Sequence, residues 1–319
     1  MRVLVAGGGG FIGGALVARL LDEGHHVRAV DIKPMEEWHQ VFPGVDNRVM
    51  DLRDPNLCWW ATEGMDEVYD LAAEMGGIGF IEGHKLDCVL SVLISTNLLI
   101  ASSIHEVSRF FYASSACVYP SYRQDRPDVE ALAESDAYPA DPEDGYGWEK
   151  LFSERLCRHF LEDRGLQTRV ARFHNIYGPQ GTWDGGREKA PAAICRKVAQ
   201  AKLAGSGSID IWGDGEQTRS FCYIDDAVEG VLRLTASDFT DPLNIGSSET
   251  VTVNQLVDLV EEIAGVKLER TYDLSAPQGV RGRSSDNELC RKTLDWEPSI
   301  SLRDGMTKLY AWIEEEVQR

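Results

Sequence analysis

Tyr146 and Lys150 stand four residues apart in Tyr146-Gly147-Trp148-Glu149-Lys150. On a helix that spacing puts both side chains on one face. An ammonium beside a phenol favours the phenolate, so the pair predicts a Tyr146 whose pKa is lowered enough to act as a base near neutral pH. Upstream, Ser114-Ser115-Ala116-Cys117-Val118-Tyr119 closes a β-rich run. The Ser115 hydroxyl can steer a substrate alcohol onto the phenolate. These three residues suffice for oxidising an alcohol when a hydride acceptor is at hand. Cys117 is not needed for that. A thiol two residues beyond the serine points to a second proton transfer, with a small packed cysteine as the alternative.

The hydride acceptor has its own signature. Gly7-Gly8-Gly9-Gly10-Phe11-Ile12-Gly13 joins a strand-like run to a helix-period segment. Gly7, Gly10 and Gly13 permit a tight turn and close approach of a pyrophosphate to N–H groups at a helix N-terminus. Asp31 follows 18 residues after Gly13 and ends the second strand-like run. A carboxylate there accepts both ribose hydroxyls and repels a 2′-phosphate, favouring NAD over NADP, although Lys33 is near. Asp51 and Leu52 close a third run, where the carboxylate can meet the adenine amine. Leu71, Ala72 and Ala73 close a fourth, where small side chains let a dinucleotide lie flat.

Positioning these residues takes an ordered scaffold. Strand-like runs at 2–6, 26–31, 47–50, 67–71, 109–114 and 167–173 alternate with helix-period segments at 11–23, 86–107 and 146–165. That β-α-β alternation predicts an α/β protein with a Rossmann-type, doubly wound parallel sheet. Beyond about residue 175 the pattern loosens into Gly- and Pro-rich segments. Helices are expected at 190–204, 225–235, 253–263 and 302–317, with short strands at 209–212 and 243–245 between them. We expect residues 1–175 to hold the dinucleotide and 176–319 to form a smaller mixed α/β substrate domain, with segments crossing between the two.

The 319 residues carry a formal charge of −20. That argues against nucleic-acid or anionic-membrane partners, which require basic surface. No basic-then-apolar leader is evident, and no apolar stretch is expected to approach the ~18 residues that span a membrane. Seven scattered cysteines without C-x-x-C spacing fit free thiols in a cytoplasmic, reducing compartment rather than disulfides or a zinc site.

Combined, the glycine turn, Ser114-Ser115-Ala116-Cys117 and Tyr146-x-x-x-Lys150 resemble the extended short-chain dehydrogenase/reductase family. Within it the chain is most similar to the GDP-mannose 3,5-epimerases. The residues that carry this include 73–80, Arg172-Phe173-His174-Asn175-Ile176-Tyr177-Gly178-Pro179, Gly185-Gly186-Arg187-Glu188-Lys189-Ala190-Pro191, Trp212-Gly213-Asp214-Gly215-Glu216-Gln217-Thr218-Arg219 and Val280-Arg281-Gly282-Arg283. The resemblance implies an NAD-containing isomerase that converts GDP-mannose to GDP-L-galactose, with GDP-L-gulose from inversion at C5 alone. It implies Tyr146, Lys150 and Ser115 for hydride removal at C4, and Cys117 with Lys189 as the acid/base pair on opposite faces of the sugar. It places Asn175, Glu188, Ala190 and Gln217 with Ser115, Ala116 and Cys117 against the substrate. Gly76 and Gly77 would let backbone approach the sugar. A diphosphate needs local positive charge, for which Lys197, Arg219 and Arg283 are candidates. Arg281 reads equally well as an ion-pair residue, His174 as a packed histidine and Trp212 as core or cap packing. A homodimer joined through helices 86–107 and 146–165 is the family's expectation. Two other readings stay open: a nucleotide-sugar 4-epimerase or 4,6-dehydratase, and a non-catalytic dinucleotide-binding regulator. Ala116-Cys117 stands where a dehydratase uses an acidic pair, and a 4-epimerase leaves Cys117 and Lys189 without a task.

Overall fold

The structure is a computed structural model that describes all 319 residues. Its strands are β1 (Arg2–Ala6), β2 (His26–Asp31), β3 (Asp46–Val49), β4 (Glu67–Asp70), β5 (Arg109–Ser115), β6 (Thr168–Phe173), β7 (Ile176–Tyr177), β8 (Ser208–Trp212), β9 (Thr218–Ser220), β10 (Cys222–Tyr223), β11 (Leu243–Ile245), β12 (Thr250–Thr252), β13 (Glu269–Asp273) and β14 (Gly282–Arg283). The helices are α1 (Phe11–Asp22), α2 (Pro55–Thr62), α3 (Ile78–Gly83), α4 (Lys85–Leu90), α5 (Val92–Ile104), α6 (Tyr146–Arg164), α7 (Ala190–Ala204), α8 (Ile224–Ala236), α9 (Val253–Ala264), α10 (Glu288–Leu294) and α11 (Leu302–Gln318).

The central sheet has seven parallel strands in the order β11-β6-β5-β4-β1-β2-β3. Its order reverses beside β1, which is the doubly wound topology, and a crevice opens there at the carboxyl ends of the strands. β1 and β5 carry long apolar runs: Val3, Leu4, Val5, Ala6, Phe110, Phe111 and Tyr112 are all buried. Such continuous runs belong in a sheet covered on both faces. One core holds Leu16, Val17 and Leu20 of α1 with Val228 and Val231 of α8; the other holds Leu98 and Leu99 of α5 with Cys157 of α6.

Two expectations change. The 243–245 strand does not stand in the smaller part; β11 pairs with β6 at the edge of the main sheet. Its three residues Leu243, Asn244 and Ile245 are buried, and α8 also returns to this sheet. Second, the Lys85–Ile104 stretch is 20 residues long with mean hydropathy 1.7, enough by length and composition to cross a membrane. It packs on α2, β4, β5 and α6 instead. It reads as so apolar because Leu98 and Leu99 face the core while Leu86, Leu93 and Ile100 lie exposed on the other side. The remaining elements form small sheets β12-β9-β14 and β13-β8 around α7, α9 and α11.

Candidate active site

The glycine turn between β1 and α1 is shaped by close approach. Gly7 has φ +81°, and a Cβ on it would lie 2.9 Å from the Leu71 carbonyl. A Cβ on Gly13 would collide with the carbonyl oxygen of Gly7. The N–H groups of Phe11, Ile12 and Gly13 make no hydrogen bond within the chain, so the start of α1 offers donors to an anion. Asp31 is buried at the rim, its carboxylate accepting from the Gly9 and Lys33 N–H groups at 3.1 Å each. The Lys33 ammonium is engaged by the Gly9 carbonyl at 3.1 Å, so Asp31 is what a ribose meets. The Asp51 carboxylate forks with Arg53 at 2.6 Å while still lining the cleft beside Leu52. Leu71, Ala72 and Ala73 form its floor. The cleft has a volume of about 710 Å³ and runs from this turn to Tyr146, Lys150 and Lys189. A cradle that any Cβ would fill, with unpaired N–H groups aimed into it, fits a dinucleotide pyrophosphate.

Tyr146 opens α6 directly after Gly145, whose φ is +84°. Lys150 follows one turn on, its Nζ 5.5 Å from the Tyr146 ring centre and 4.9 Å from that of Tyr112. The expected lowering of the Tyr146 pKa is not what the structure holds. Burial pushes the phenol well above its ordinary value, and Cys117 and Glu149 push it the same way, while the Ser115 hydroxyl pulls it down. Lys150 does not offset this, since its ammonium sits 3.5 Å from the Glu149 carboxylate, both side chains buried. The buried Asp70 carboxylate also feels Lys150; burial raises its pKa to about 6 and the ammonium partly offsets that. Lys150 is thus shared among two carboxylates and the phenol.

Ser115 ends β5, and its Oγ accepts the Cys117 N–H at 3.2 Å, starting a tight turn over Ala116, Cys117 and Val118. Gly147 of α6 lies against this turn so closely that a Cβ would collide with the Cys117 carbonyl. That contact brings thiol and phenol into one apolar cluster with Phe80 and Cys88. Arg283 of β14 donates from Nη1 to the Cys117 sulfur at 3.5 Å and from Nε to Gln124 Oε1 at 2.5 Å. Burial raises the thiol pKa, the Glu143 carboxylate adds to the rise, and Arg283 opposes it. The thiol is therefore tuned away from neutrality. Lys189 caps α7, and burial lowers its pKa; Cys117 works against that and Arg283 adds to it. The amine thus moves toward neutrality, as expected for an acid/base group. Thiol and amine feel one another across the site.

Among the substrate candidates, Gly76 lines the cleft, and Gly77 donates its N–H to the Arg187 carbonyl at 3.0 Å. Asn175, at φ +48°, donates Nδ2 to the Ser220 carbonyl at 2.9 Å. Gln217 donates to the Trp212 carbonyl at 3.0 Å and leaves its buried Oε1 without a partner. Ala190 begins α7 behind Lys189, and Ala116 is buried in the turn before Cys117. Arg219 donates to the Thr218 and Val280 carbonyls; burial, with Arg283 nearby, brings its pKa down to about 9. Lys197 does not stand free for a phosphate: Asp210 holds its Nζ at 2.7 Å, because α7 lies along β8. Glu188 is likewise held by Arg196 at 2.7 Å. Arg281 forks with Asp214 at 3.0 Å as an ion-pair residue. His174 is fully buried against Asn244 at 3.0 Å, and burial lowers its pKa to about 3. Trp212 is 46% exposed rather than core. Sequence reasoning missed Glu143, Gln124, Asp70 and Glu149 as neighbours of the reacting groups. The only signals were that Glu143 and Glu149 each lie three residues from Tyr146 in the chain.

The NAD dependent epimerase/dehydratase family matches residues 3–246, and the chain belongs to that family. The fold agrees with UDP-glucose 4-epimerase of Thermotoga maritima, at TM-score 0.89 and 25% identity over 99% of this chain and 100% of that one. MoeE5 in complex with UDP-glucose and NAD is similar at TM-score 0.82 and 28% identity, over 99% of this chain and 100% of that one. Within the family, the chain is 47% identical to GDP-mannose 3,5-epimerase 1 of Oryza sativa subsp. japonica, over 100% of this chain and 83% of that protein. It is 46% identical to GDP-mannose 3,5-epimerase of Arabidopsis thaliana, over 100% of this chain and 84% of that one. The chain is an enzyme of this group, and its cofactor is NAD.

Proposed function

We propose that this enzyme inverts GDP-mannose at C3 and C5, yielding GDP-L-galactose and, from C5 alone, GDP-L-gulose. The observation that carries the reading is that Cys117 packs in one cluster with Tyr146 while Lys189 lines the same cleft as Tyr146. Hydride chemistry at C4 needs only Tyr146, Lys150 and Ser115. Bound NAD supplies the hydride acceptor and returns the hydride at the end. Tyr146 takes the C4 hydroxyl proton, Ser115 orients that hydroxyl, and Lys150 offsets the charge on the phenolate. The C4 ketone then acidifies the C–H bonds at C3 and C5. Of Cys117 and Lys189, one removes such a proton and the other delivers one to the opposite face. Arg219 and Arg283 supply positive charge in a protein of charge −20, which suits a diphosphate.

Incubation with GDP-mannose in D₂O is the test. Deuterium is expected at C5, and at C3 where both centres turn over. Turnover with deuterium at neither carbon overturns the reading in favour of C4 epimerisation. Cys117→Ala is expected to keep its NAD and lose the exchange.

In the same reading, residues 1–175 hold NAD and 176–319 hold the nucleotide sugar, with β11 and α8 crossing back. The enzyme works as a homodimer in the cytoplasm, without nucleic-acid or membrane partners. Exposed Leu86, Leu93, Ile100, Trp148 and Phe152 on α4, α5 and α6 support the dimer, and light scattering tests it. Seven free cysteines, all buried, support the reducing compartment.

A further inference from the structure

Between oxidation at C4 and return of the hydride, the sugar is a ketone held by no covalent bond. If it leaves, the hydride stays on the cofactor and the enzyme is stranded in its reduced form. A double inversion lengthens that exposure. Something must keep the rim closed.

Arg187 stands at that rim. Its Nη1 pairs with Glu74 Oε1 at 2.6 Å, and its guanidinium lies 3.9 Å from the centre of the Phe80 ring. Its carbonyl accepts the Gly77 N–H at 3.0 Å. Glu74, Phe80, Arg187 and Lys189 all line the same cleft, so these contacts join its two walls. Just upstream, Gly185 and Gly186 have φ +89° and +87°, and a Cβ on either would meet nothing within 4 Å. Such unpacked, positive-φ glycines can absorb a rotation. Just downstream the chain is anchored: Glu188 Oε1 holds Arg196 at 2.7 Å, and Lys189 caps α7. The segment between is short, with two unpacked glycines at one end, the Gly186 N–H donating to Glu188 Oε2 at 2.7 Å, and a catalytic amine at the other end. Arg187 is 49% and Glu74 37% exposed, so water weakens their pair. An exposed pair is worth only a few-fold in an equilibrium, which suits a closure that must open every turnover.

We propose that Arg187 is a positioning residue, the latch of a strap over residues 185–189 that holds Lys189 opposite Cys117 until the hydride has returned. Glu74 and Phe80 form the catch. The proposal rests on the epimerase reading above. When the strap opens early, the ketone departs with its C4 carbonyl, and the electron pair and hydrogen taken from C4 remain as bound NADH.

The test uses purified holoenzyme with GDP-mannose, reading epimer formed and bound NADH by its near-ultraviolet absorbance. Glu74→Gln removes the pair from the catch. Arg187→Met removes it from the latch while leaving an apolar side chain for Phe80. Each is expected to raise NADH stranded per turnover by roughly two- to fivefold, and the double variant by no more than the larger single effect. Arg187→Lys is expected to recover part of the loss. A merely structural role lowers stability without moving NADH per turnover. Wild-type NADH levels in both single variants, or additive effects in the double, overturn the latch. A wild-type enzyme that forms no epimer overturns the epimerase reading instead, so the two failures are separable.

Discussion

Replacing Arg283 by methionine removes the one cation that hydrogen-bonds the Cys117 sulfur, at 3.5 Å. With the guanidinium charge roughly 4.5 Å from sulfur, Coulomb's law gives about 4 kcal/mol at an effective dielectric of ~20 and about 1 kcal/mol at that of water. Losing that interaction should push the thiol pKa further up and disfavour the thiolate roughly 10- to 1,000-fold. Arg283 also lowers the Lys189 pKa, so the amine rises with it. Both members of the pair then hold their protons more tightly. Inversion needs one member with a proton and one without, so Arg283→Met is left with two acids and no base near neutrality. The acid limb of the wash-in rate, measured in D₂O buffers at saturating GDP-mannose, is expected to move to higher pH. At neutral pH the rate should fall ~10- to 1,000-fold. Arg283→Lys restores the charge without the fork to Gln124, and should bring the limb most of the way back. An Arg283→Met profile that superimposes on the wild type's, or an Arg283→Lys profile no better than Arg283→Met's, refutes this account of the thiol.

Asp70 is fully buried, leaves Oδ2 without a partner, and has its pKa raised by burial to about 6. A raised carboxylate pKa means its protonated form is favoured by folding. The stability it contributes is full below about pH 4 and is lost as pH rises through about 6. Asp70→Asn should therefore unfold at higher urea than wild type near neutrality, by up to about 3 kcal/mol, and show no advantage near pH 4; an equal gap at both pH values sinks the argument. Gly13→Ala drives a methyl into the Gly7 carbonyl and so deforms the pyrophosphate turn. NAD retained through gel filtration should drop at least ~10-fold, because the N–H donors no longer converge; full retention contradicts the cradle.

The residues easiest to read were those whose partners are near in the chain. Gly7, Gly10 and Gly13 act within one turn, and Tyr146 and Lys150 within one helical turn. Long apolar runs such as β1 and β5 announce central strands. Three-residue β11 does not, since its place depends on pairing with β6 some 70 residues earlier. The sign of the Tyr146 shift was illegible for a related reason. The spacing to Lys150 is visible, but the burial that raises the phenol, and the pull of Asp70 on the same ammonium, emerge only when α6 packs against the sheet. Lys197 looked free until β8 brought Asp210 beside it.

This division follows the chemistry. Every residue that moves the hydride, from Gly7 to Lys150, lies in the first half of the chain, on the turns at strand ends or on α6. The proton-moving residues and the cation that tunes them are scattered: Cys117 on the turn after β5, Lys189 at the cap of α7, and Arg283 on β14, 166 residues from the thiol it touches. None of these spacings is a helix or strand period. A protein can keep its hydride machinery intact while loops from the second half exchange the groups that face the sugar. The part of the site that decides between C4 epimerisation and C3/C5 inversion is then the part with the weakest local signature. Arg283 shows why a single thiol is insufficient to define it. Burial and Glu143 raise the Cys117 thiol even against that guanidinium, and Ser115-x-Cys117 alone could not tell an acid/base group from a packed cysteine. The reaction type is encoded in the meeting of β5, α7 and β14, not in any one motif.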